Sequence, residues 1–259
     1  MRIGIIGAGA YGTALGGVIG DNGHVVCYYD PAKGYDDLSL VLDNSDYLIL
    51  CAPTEAVLSL LKDLPTYKPI IIASKGFLSD RPFCSFDDYM VLSGAGFAED
   101  IKTKKNTQIT VTDDRIMNFL RADYISFDFT IDRLGVLMCG ALKNVYALLA
   151  GYLDLQRDTD EWLTYIMEVS EEIQALLLAN GANPTTFDLA CGRRDLELTC
   201  GLPSRNYEYG QMMRSNPDAR SDKTVEGLTT LEGIRNNEII IPDTATHLKE
   251  LLKIRFGGD

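Results

Sequence analysis

A glycine-rich turn near the start of the chain constrains its fold more than any other feature. The apolar run Ile3–Ile6 leads into Gly7-Ala8-Gly9-Ala10-Tyr11-Gly12, a G-x-G-x-x-G pattern that a helical run follows. Here the first glycine permits a tight turn, the second lets the backbone approach a pyrophosphate, and the third lets the helix pack closely on the strand. Asp30 ends a second predicted strand about 20 residues further on, where a carboxylate hydrogen-bonds an adenosine ribose. Gly7, Gly9, Gly12 and Asp30 therefore predict a dinucleotide site, with an unliganded glycine-rich turn as the alternative.

Asp30 also bears on the choice of cofactor. A carboxylate at this position repels a 2′-phosphate, no arginine follows it, and Lys33 is the only nearby cation. The residues favour NAD over NADP. The alternative is that Asp30 is a turn residue before Pro31.

Residues 1–128 alternate strand-like and helical segments. The predicted strands are Arg2–Ile6, His24–Tyr29, Tyr47–Cys51, Ile70–Ala73, Tyr89–Leu92, Gln108–Val111 and Tyr124–Phe127. The predicted helices between them are Tyr11–Gly20, Thr54–Leu64 and Asp113–Arg121. This alternation is typical of an α/β Rossmann domain, a doubly wound and mostly parallel sheet with helices on both faces.

From Ile131 onward the strand signal nearly disappears. The predicted helices there are Leu134–Tyr152, Glu161–Asn180, Tyr207–Arg214, Thr224–Asn236 and Thr244–Ile254. We therefore predict two domains, a dinucleotide-binding domain over residues 1–129 and an all-α substrate domain over residues 130–259.

Composition excludes several classes of function. The 259 residues carry a formal charge of −13, which disfavours binding to nucleic acid or to anionic lipid. The six cysteines form no C-x-x-C pair, as expected for reduced thiols of a cytoplasmic protein, and no secretory signal is recognisable. No cluster with metal-ligand spacing stands out, so no metal is expected.

The apolar segment Leu134–Leu153 is the most informative part of the second half. It approaches the length of a membrane span, but Lys143 and Asn144 lie at its centre, which predicts a buried helix of a soluble protein. An ammonium in such surroundings loses hydration, so its pKa is expected to fall towards the range of a general acid–base. A purely structural Lys143 is the alternative and needs a carboxylate partner, for which Asp195 and Asp132 are candidates.

Ligands of an open parallel sheet bind beyond the carboxyl ends of its strands. Three such ends are Cys51-Ala52-Pro53, Ser74-Lys75-Gly76 and Ser93-Gly94-Ala95-Gly96. Lys75 is placed to hold an anionic substrate, or is a solvated loop lysine. Neither His24 nor His247 is well placed, so the acid–base group is expected to be a lysine or a carboxylate.

Ser204-Arg205-Asn206 offers a hydroxyl, a guanidinium and an amide in a predicted loop before a helix, which suits a phosphate group. Lys75, Lys143 and Arg205, with Arg193 and Arg194 as further candidates, would focus positive potential in an acidic protein. A solvated loop is the alternative for this three-residue motif.

Taken together, the chain resembles the soluble bacterial type of NAD(P)-dependent glycerol-3-phosphate dehydrogenase, as a shortened member. The matching phrases are GAGAYGTAL (7–15), SKG (74–76), LSGAGFA (92–98), GVLMCGALKNVYALLAG (135–151), DLELTC (195–200), SRN (204–206), VEG (225–227) and IP (241–242). The family's Gly-Pro-Ser-Phe-Ala is Gly94-Ala95-Gly96-Phe97-Ala98 here, and its Gly-Leu-Gly-Asp-Leu is Gly192-Arg193-Arg194-Asp195-Leu196.

The resemblance implies a Rossmann domain followed by a helical domain like the C-terminal domain of 6-phosphogluconate dehydrogenase. It implies reversible NAD(P)H-dependent reduction of dihydroxyacetone phosphate to sn-glycerol 3-phosphate, a glycerophospholipid precursor, in a homodimer. It assigns catalysis to Lys143, Lys75, Asn144 and Asp195. It assigns substrate binding to Lys75, Asp195, Thr199, Ser204, Arg205 and Asn206, and cofactor binding to Ala10, Tyr11, Lys75, Ala98, Arg205 and Glu226. The residue pattern adds Gly94 to the predicted substrate-binding residues, and the glycine turn, Asp30 and Pro53 to the predicted cofactor-binding residues.

Two alternatives remain open at this point. One is a reductase of the same architecture that acts on another small substrate, which would leave the Ser204-Arg205-Asn206 motif without a phosphate. The other is a paralogue that binds NAD(H) without turnover, against which the retained Lys75, Lys143, Asp195 and Arg205 argue.

Overall fold

A computed structural model describes residues 1–216, 220–221 and 224–257. The chain divides into two compact units. The first comprises Met1–Lys75 and Asp80–Arg133, and the second comprises Gly76–Ser79 and Leu134–Asp259. The first unit thus continues past the predicted division at residues 129 and 130. The short segment Gly76–Ser79 groups with the second unit, which no sequence pattern indicated; its Phe77 and Leu78 side chains are buried.

The first unit is built on one seven-stranded sheet. The strands are β1 Arg2–Ile6, β2 Val25–Tyr29, β3 Tyr47–Leu50, β4 Ile70–Ile72, β5 Tyr89–Ala95, β6 Thr107–Val111 and β7 Ile125–Phe129. Their order is β2-β1-β3-β4-β5-β6-β7, and neighbours are parallel except β5 and β6. The mostly parallel sheet is confirmed. β4 consists of three isoleucines without solvent exposure, as expected for a strand covered on both faces.

Short helices connect these strands. They are α1 Ala10–Asp21, α2 Leu38–Asp43, α3 Thr54–Leu60, α4 Ala98–Lys102 and α5 Arg115–Phe119. Two of them, α2 and α4, were not predicted, because six and five residues are too few for a helical period to show. Helix α1 packs Leu15, Val18 and Ile19 into the core of the sheet.

The second unit is helical, as predicted. Its helices are α6 Arg133–Leu153, α7 Asp160–Ala179, α8 Asp195–Thr199, α9 Arg205–Ser215, α10 Glu226–Arg235 and α11 Thr246–Phe256. The sequence missed α8, which a π-helical turn at Ala190–Arg194 precedes.

Helix α6 lies in the core. Among the described residues it is the one helix long and apolar enough to cross a membrane, and 94% of its apolar window is buried inside the fold. The prediction of a buried helix is confirmed.

Glu172 of α7 joins three helices of the second unit. Its buried carboxylate accepts hydrogen bonds from the Tyr146 hydroxyl of α6 (2.9 Å), and from the Thr246 hydroxyl and the His247 backbone N–H of α11 (3.0 and 2.8 Å). The Nδ1 atom of His247 lies 2.8 Å from the same carboxylate. Burial alone would raise the pKa of Glu172, but the hydrogen bonds from His247, Tyr146 and Thr246 outweigh it and lower that pKa. The carboxylate is therefore charged in the folded protein.

We expect Glu172→Gln to destabilise the protein by about 1–3 kcal/mol at neutral pH, because buried donors lose a charged acceptor. A pKa that is lower in the folded than in the unfolded state adds stability above the unfolded value, and this stability is lost as the pH falls through the folded pKa. The difference between wild type and variant should therefore shrink on acidification.

Urea unfolding at pH 7 and in the acid range below the ordinary glutamate pKa measures this difference. Glu171→Gln, the exposed neighbour on the same helix, is the control and should change little. An equal deficit for Glu172→Gln at both pH values would contradict the assignment.

Candidate functional site

The predicted site residues fall into two clusters, one in each unit. In the first unit, the glycine turn connects β1 to α1 at the carboxyl edge of the sheet. Gly7 has a φ of +104°, and a Cβ there would lie 2.5 Å from the backbone nitrogen of Ala52. A Cβ on Gly12 would lie 2.0 Å from the carbonyl oxygen of Gly7. Both positions therefore require glycine for the turn itself.

Gly9 differs from these two glycines. It is the N-cap of α1 with a φ of −67°, which any residue can adopt, and a Cβ there would have no atom within 4 Å. The protein does not need glycine at this position for its own packing. An open space beside a helix N-terminus fits the pyrophosphate of a dinucleotide.

We expect Gly9→Ala to fold normally and to weaken dinucleotide binding about tenfold or more, because the methyl group would occupy the space of the pyrophosphate. Titration of NADH, followed by its fluorescence, measures the loss. Gly17→Ala is the matched control, since a Cβ there also meets nothing within 4 Å but lies further along α1. Equal affinities for the two variants would place the pyrophosphate elsewhere.

Asp30 lies directly after β2 and holds the glycine turn. Its carboxylate accepts the backbone N–H of Ala8 at 2.9 Å, and the Lys33 ammonium donates to the carbonyl of Ala8 at 2.6 Å. Asp30 also pairs with Tyr35 through two backbone hydrogen bonds, which closes a tight turn around Pro31–Lys33. The turn described as an alternative is thus present, and the carboxylate still lies beside the predicted cofactor site.

Other predicted residues of the first unit lie at the same edge of the sheet. Pro53 is the N-cap of α3, Ala98 begins α4, and Ala10 and Tyr11 begin α1. The carboxyl ends of β1 and β3 are adjacent because the two strands are paired and parallel, and this is where the strand order reverses.

Lys75 follows β4 and is half-buried. Its Nζ donates to the carbonyl of Gly94 at 2.8 Å and lies 5.8 Å from the centre of the Tyr11 ring. It is therefore held at the edge of the sheet and is not a freely solvated loop lysine. Gly94 is part of β5, which continues to Ala95, so the prediction that this segment follows a strand was wrong. Antiparallel pairing of β5 with β6 extends the strand beyond its apolar run.

The second cluster surrounds Lys143 of α6. Its Nζ donates to Oδ1 of Asp195 at 2.9 Å and to the hydroxyl of Thr199 at 2.8 Å. Thr199 in turn donates to the carbonyl of Asp195 at 2.6 Å. Lys143 is 6% exposed and Asp195 1% exposed, so the pair is shielded from solvent. Of the two candidate carboxylates, Asp195 is the partner in the structure.

The carboxylate and the hydroxyl fix the orientation of the buried Lys143 ammonium, which carries a proton that it can donate. Burial disfavours the charged form of Lys143, whereas the neighbouring Asp195 carboxylate favours it. The lowered pKa of Lys143 therefore stays a prediction. Burial raises the pKa of the neighbouring Cys200 thiol, and it raises that of Cys51 in the first unit to about 12. Both thiols are therefore neutral and supply no nucleophile near neutral pH.

Asn144 and Asn206 connect this cluster to α9 and α10. The Asn206 amide donates to Oδ1 of Asn144 at 2.9 Å and accepts the backbone N–H of Gly227 at 3.0 Å. Gly227 therefore contacts Asn206 of the predicted Ser204-Arg205-Asn206 motif, and Glu226, the first residue of α10, precedes it in the chain.

The Ser204-Arg205-Asn206 motif was predicted in a loop, but only its first residue lies outside a helix. Ser204 is the N-cap of α9, and its hydroxyl accepts the N–H of Tyr207 at 3.5 Å. Arg205 and Asn206 form the first turn, where Arg205 is exposed and Asn206 buried. The structure thus brings the predicted phosphate-binding motif to a helix N-terminus, where Asn206 contacts Asn144, the residue after Lys143.

Arg193, a further candidate cation, interacts with two side chains of its own segment. Its guanidinium lies 3.8 Å from the Asp188 carboxylate and 5.3 Å from the centre of the Phe187 ring. In the part of the chain that the structure describes, no three His, Cys, Asp or Glu side chains are grouped to hold a metal ion.

Sequence reasoning from the residues alone missed Thr199, which entered only through the resemblance. The available signal was its i, i+4 spacing from Asp195, which places both side chains on one face of a helix. Because α8 is only five residues long, that spacing carried no helical pattern with it.

Comparisons with known proteins identify the family of the chain. Residues 132–249 match the family model of the NAD-dependent glycerol-3-phosphate dehydrogenase C-terminus. The chain is 31% identical to a glycerol-3-phosphate dehydrogenase (NAD(P)+) of Geobacillus kaustophilus, with 92% of this chain and 83% of the relative covered. It is 28% identical to the enzyme of the same name from Leptospira biflexa, with 91% and 87% covered.

Solved structures show the same fold. The crystal structure of a glycerol-3-phosphate dehydrogenase from Coxiella burnetii superposes with a TM-score of 0.82 at 19% identity, covering 98% of this chain and 94% of that one. The alignment with the Geobacillus relative spans 288 positions, more than the 259 residues of this chain, so the relative contains segments that this chain lacks.

Proposed function

Because this chain belongs to the family of NAD(P)-dependent glycerol-3-phosphate dehydrogenases, we propose that it reduces dihydroxyacetone phosphate reversibly to sn-glycerol 3-phosphate. Membership makes the chain an oxidoreductase that uses a nicotinamide cofactor. The observation that carries the proposal is the buried ammonium of Lys143, held by Asp195 and Thr199.

The residues of the second unit have separable roles in this reaction. When bound, the reduced nicotinamide supplies the hydride that the carbonyl carbon accepts. The Nζ atom of Lys143 donates the proton that the carbonyl oxygen takes up, and Asp195 and Thr199 hold that ammonium in place. Asn144, held by Asn206, orients the substrate beside it. Arg205 and the first backbone N–H groups of α9, before the one that Ser204 caps, bind the phosphate, which positions the ketone for transfer.

In the first unit, the glycine turn, Pro53 and Ala98 would hold the cofactor, since the open space at Gly9 fits a pyrophosphate. Lys75, fixed on Gly94, adds positive charge at the edge of the sheet. We propose a preference for NAD over NADP, which the Asp30 carboxylate beside the glycine turn supports because a carboxylate there would repel a 2′-phosphate.

We propose a cytoplasmic homodimer that associates through the helical unit and supplies glycerol 3-phosphate for glycerophospholipids. It binds a small phosphorylated substrate, and we expect neither binding to nucleic acid nor insertion into a membrane. The charge of −13 and the burial of α6 support the last two points.

The test is the absorbance of reduced nicotinamide with purified protein and dihydroxyacetone phosphate, comparing NADH with NADPH. We expect rapid oxidation of NADH and slower oxidation of NADPH. Oxidation only with another carbonyl substrate would support a different reductase of this architecture. Binding of NADH without any oxidation would support a paralogue that does not turn over.

A further inference from the structure

The two partners of Lys143 lie on one short helix. Helix α8 has five residues and continues directly from the π-helical turn Ala190–Arg194. Asp195 and Thr199 occupy its two ends. Any displacement of α8 would therefore move both groups that fix the Lys143 ammonium.

A buried tryptophan anchors the C-terminal end of α8. The indole Nε1–H of Trp162 donates to the carbonyl of Cys200, the residue after Thr199, at 2.6 Å. Trp162 is 5% exposed and is the only tryptophan of the chain. The last carbonyls of a helix have no partner within it, so this hydrogen bond satisfies a group that would otherwise be buried unpaired.

The start of α7 determines where the indole lies. Thr159 is the N-cap of α7, and its hydroxyl accepts the backbone N–H of Trp162 at 3.2 Å. The residues just before α7 hold α8 as well, since the Arg157 guanidinium donates to the carbonyl of Leu198 at 2.9 Å. Arg157 is exposed, so its contribution is the weaker of the two.

We propose that Trp162 is a positioning residue for the proton transfer, acting through Cys200 and α8 on Asp195 and Thr199. This inference rests on the proposed function of Lys143 as the proton donor. In this role the indole contacts neither substrate nor cofactor. It keeps α8 in the register that places a carboxylate and a hydroxyl on the lysine.

Trp162→Phe tests the proposal, because it removes the N–H donor and keeps an aromatic ring. The smaller phenyl group also leaves a buried cavity, whose effect is structural and independent of pH. We expect kcat for reduction to fall about tenfold, with KM for dihydroxyacetone phosphate and for NADH within about twofold of wild type. A less well held Asp195 stabilises the ammonium less, so the basic limb of the kcat profile should move to lower pH. A purely structural role would lower kcat equally at every pH.

Tyr165→Phe is the matched control. It also removes one buried hydrogen-bond donor of α7, the Tyr165 hydroxyl. That hydroxyl donates to the carbonyl of Tyr146 on α6, at 2.6 Å, and not to α8. We expect its pH profile to coincide with that of wild type. An unshifted profile for Trp162→Phe, or the same shift in both variants, would overturn the proposal.

A second measurement needs neither that variant nor turnover. Trp162 is the only tryptophan of the sequence and contacts the end of α8, so the intrinsic tryptophan fluorescence reports on the surroundings of α8. Without cofactor, Thr199→Val should shift the emission relative to wild type, while Gly17→Ala should not. Unchanged emission in Thr199→Val would overturn the coupling, whereas failure of the wild type to oxidise NADH would count against the proposed function alone.

Discussion

Lys143→Met is expected to lower kcat by roughly 10²–10⁴-fold, the usual contribution of a positioned general acid. The methionine side chain fills a similar space but carries no proton to donate. NADH should bind with unchanged affinity, because the predicted dinucleotide turn lies in the first unit. Steady-state turnover and a direct NADH titration measure the two quantities separately.

The control for Lys143→Met addresses stability. Removal of the ammonium leaves Asp195 buried without its cation, and breaking a buried pair costs about 3–5 kcal/mol. The double variant Lys143→Met/Asp195→Asn removes that unpaired charge and should recover stability without recovering turnover. Activity near the wild-type level in either variant would remove Lys143 from the mechanism.

The second large effect is expected at Arg205. Loss of a charge-assisted hydrogen bond to the substrate phosphate costs about 1.5–3 kcal/mol, so Arg205→Ala should lower kcat/KM for dihydroxyacetone phosphate by roughly ten- to a hundredfold. Stability should be nearly unaffected because the side chain is exposed.

Two comparisons isolate the phosphate. Unphosphorylated dihydroxyacetone should be reduced equally slowly by wild type and by Arg205→Ala, since neither can use a phosphate contact. Arg214→Ala removes an exposed arginine at the other end of α9 and controls for net charge. An equal loss on both substrates would show that Arg205 does not bind the phosphate.

All seven strands were predictable because each is a short apolar run bounded by turn residues, and their pattern alone indicated a parallel sheet. The long helices α6 and α7 were predictable for a similar reason, since twenty residues carry several helical periods. The antiparallel pairing of β6 with β5 and the short helices α2, α4 and α8 were not. Their structure depends on neighbours distant in sequence, which local periodicity does not encode.

The candidate site divides in the same way. Lys143 was identified from its isolation within an apolar segment, and Asp30 from its distance to the glycine turn. The choice of Asp195 over Asp132 could not be made, because the two carboxylates are equally plausible until α8 is placed. Trp162 carried no signal at all, since a tryptophan near the start of a helix is most often simply core.

The sequence by itself determined the glycine turn, the order of the strands and of the long helices, and the identity of the buried lysine, because each is a property of neighbouring residues. Only the tertiary structure decided what surrounds that lysine. Asp195 and Thr199 of α8 bond to Lys143 of α6, Asn206 of α9 bonds to Asn144, and the indole of Trp162 of α7 bonds to the carbonyl of Cys200. These groups come from separate helices, so their hydrogen bonds of about 3 Å exist only once the helices have packed.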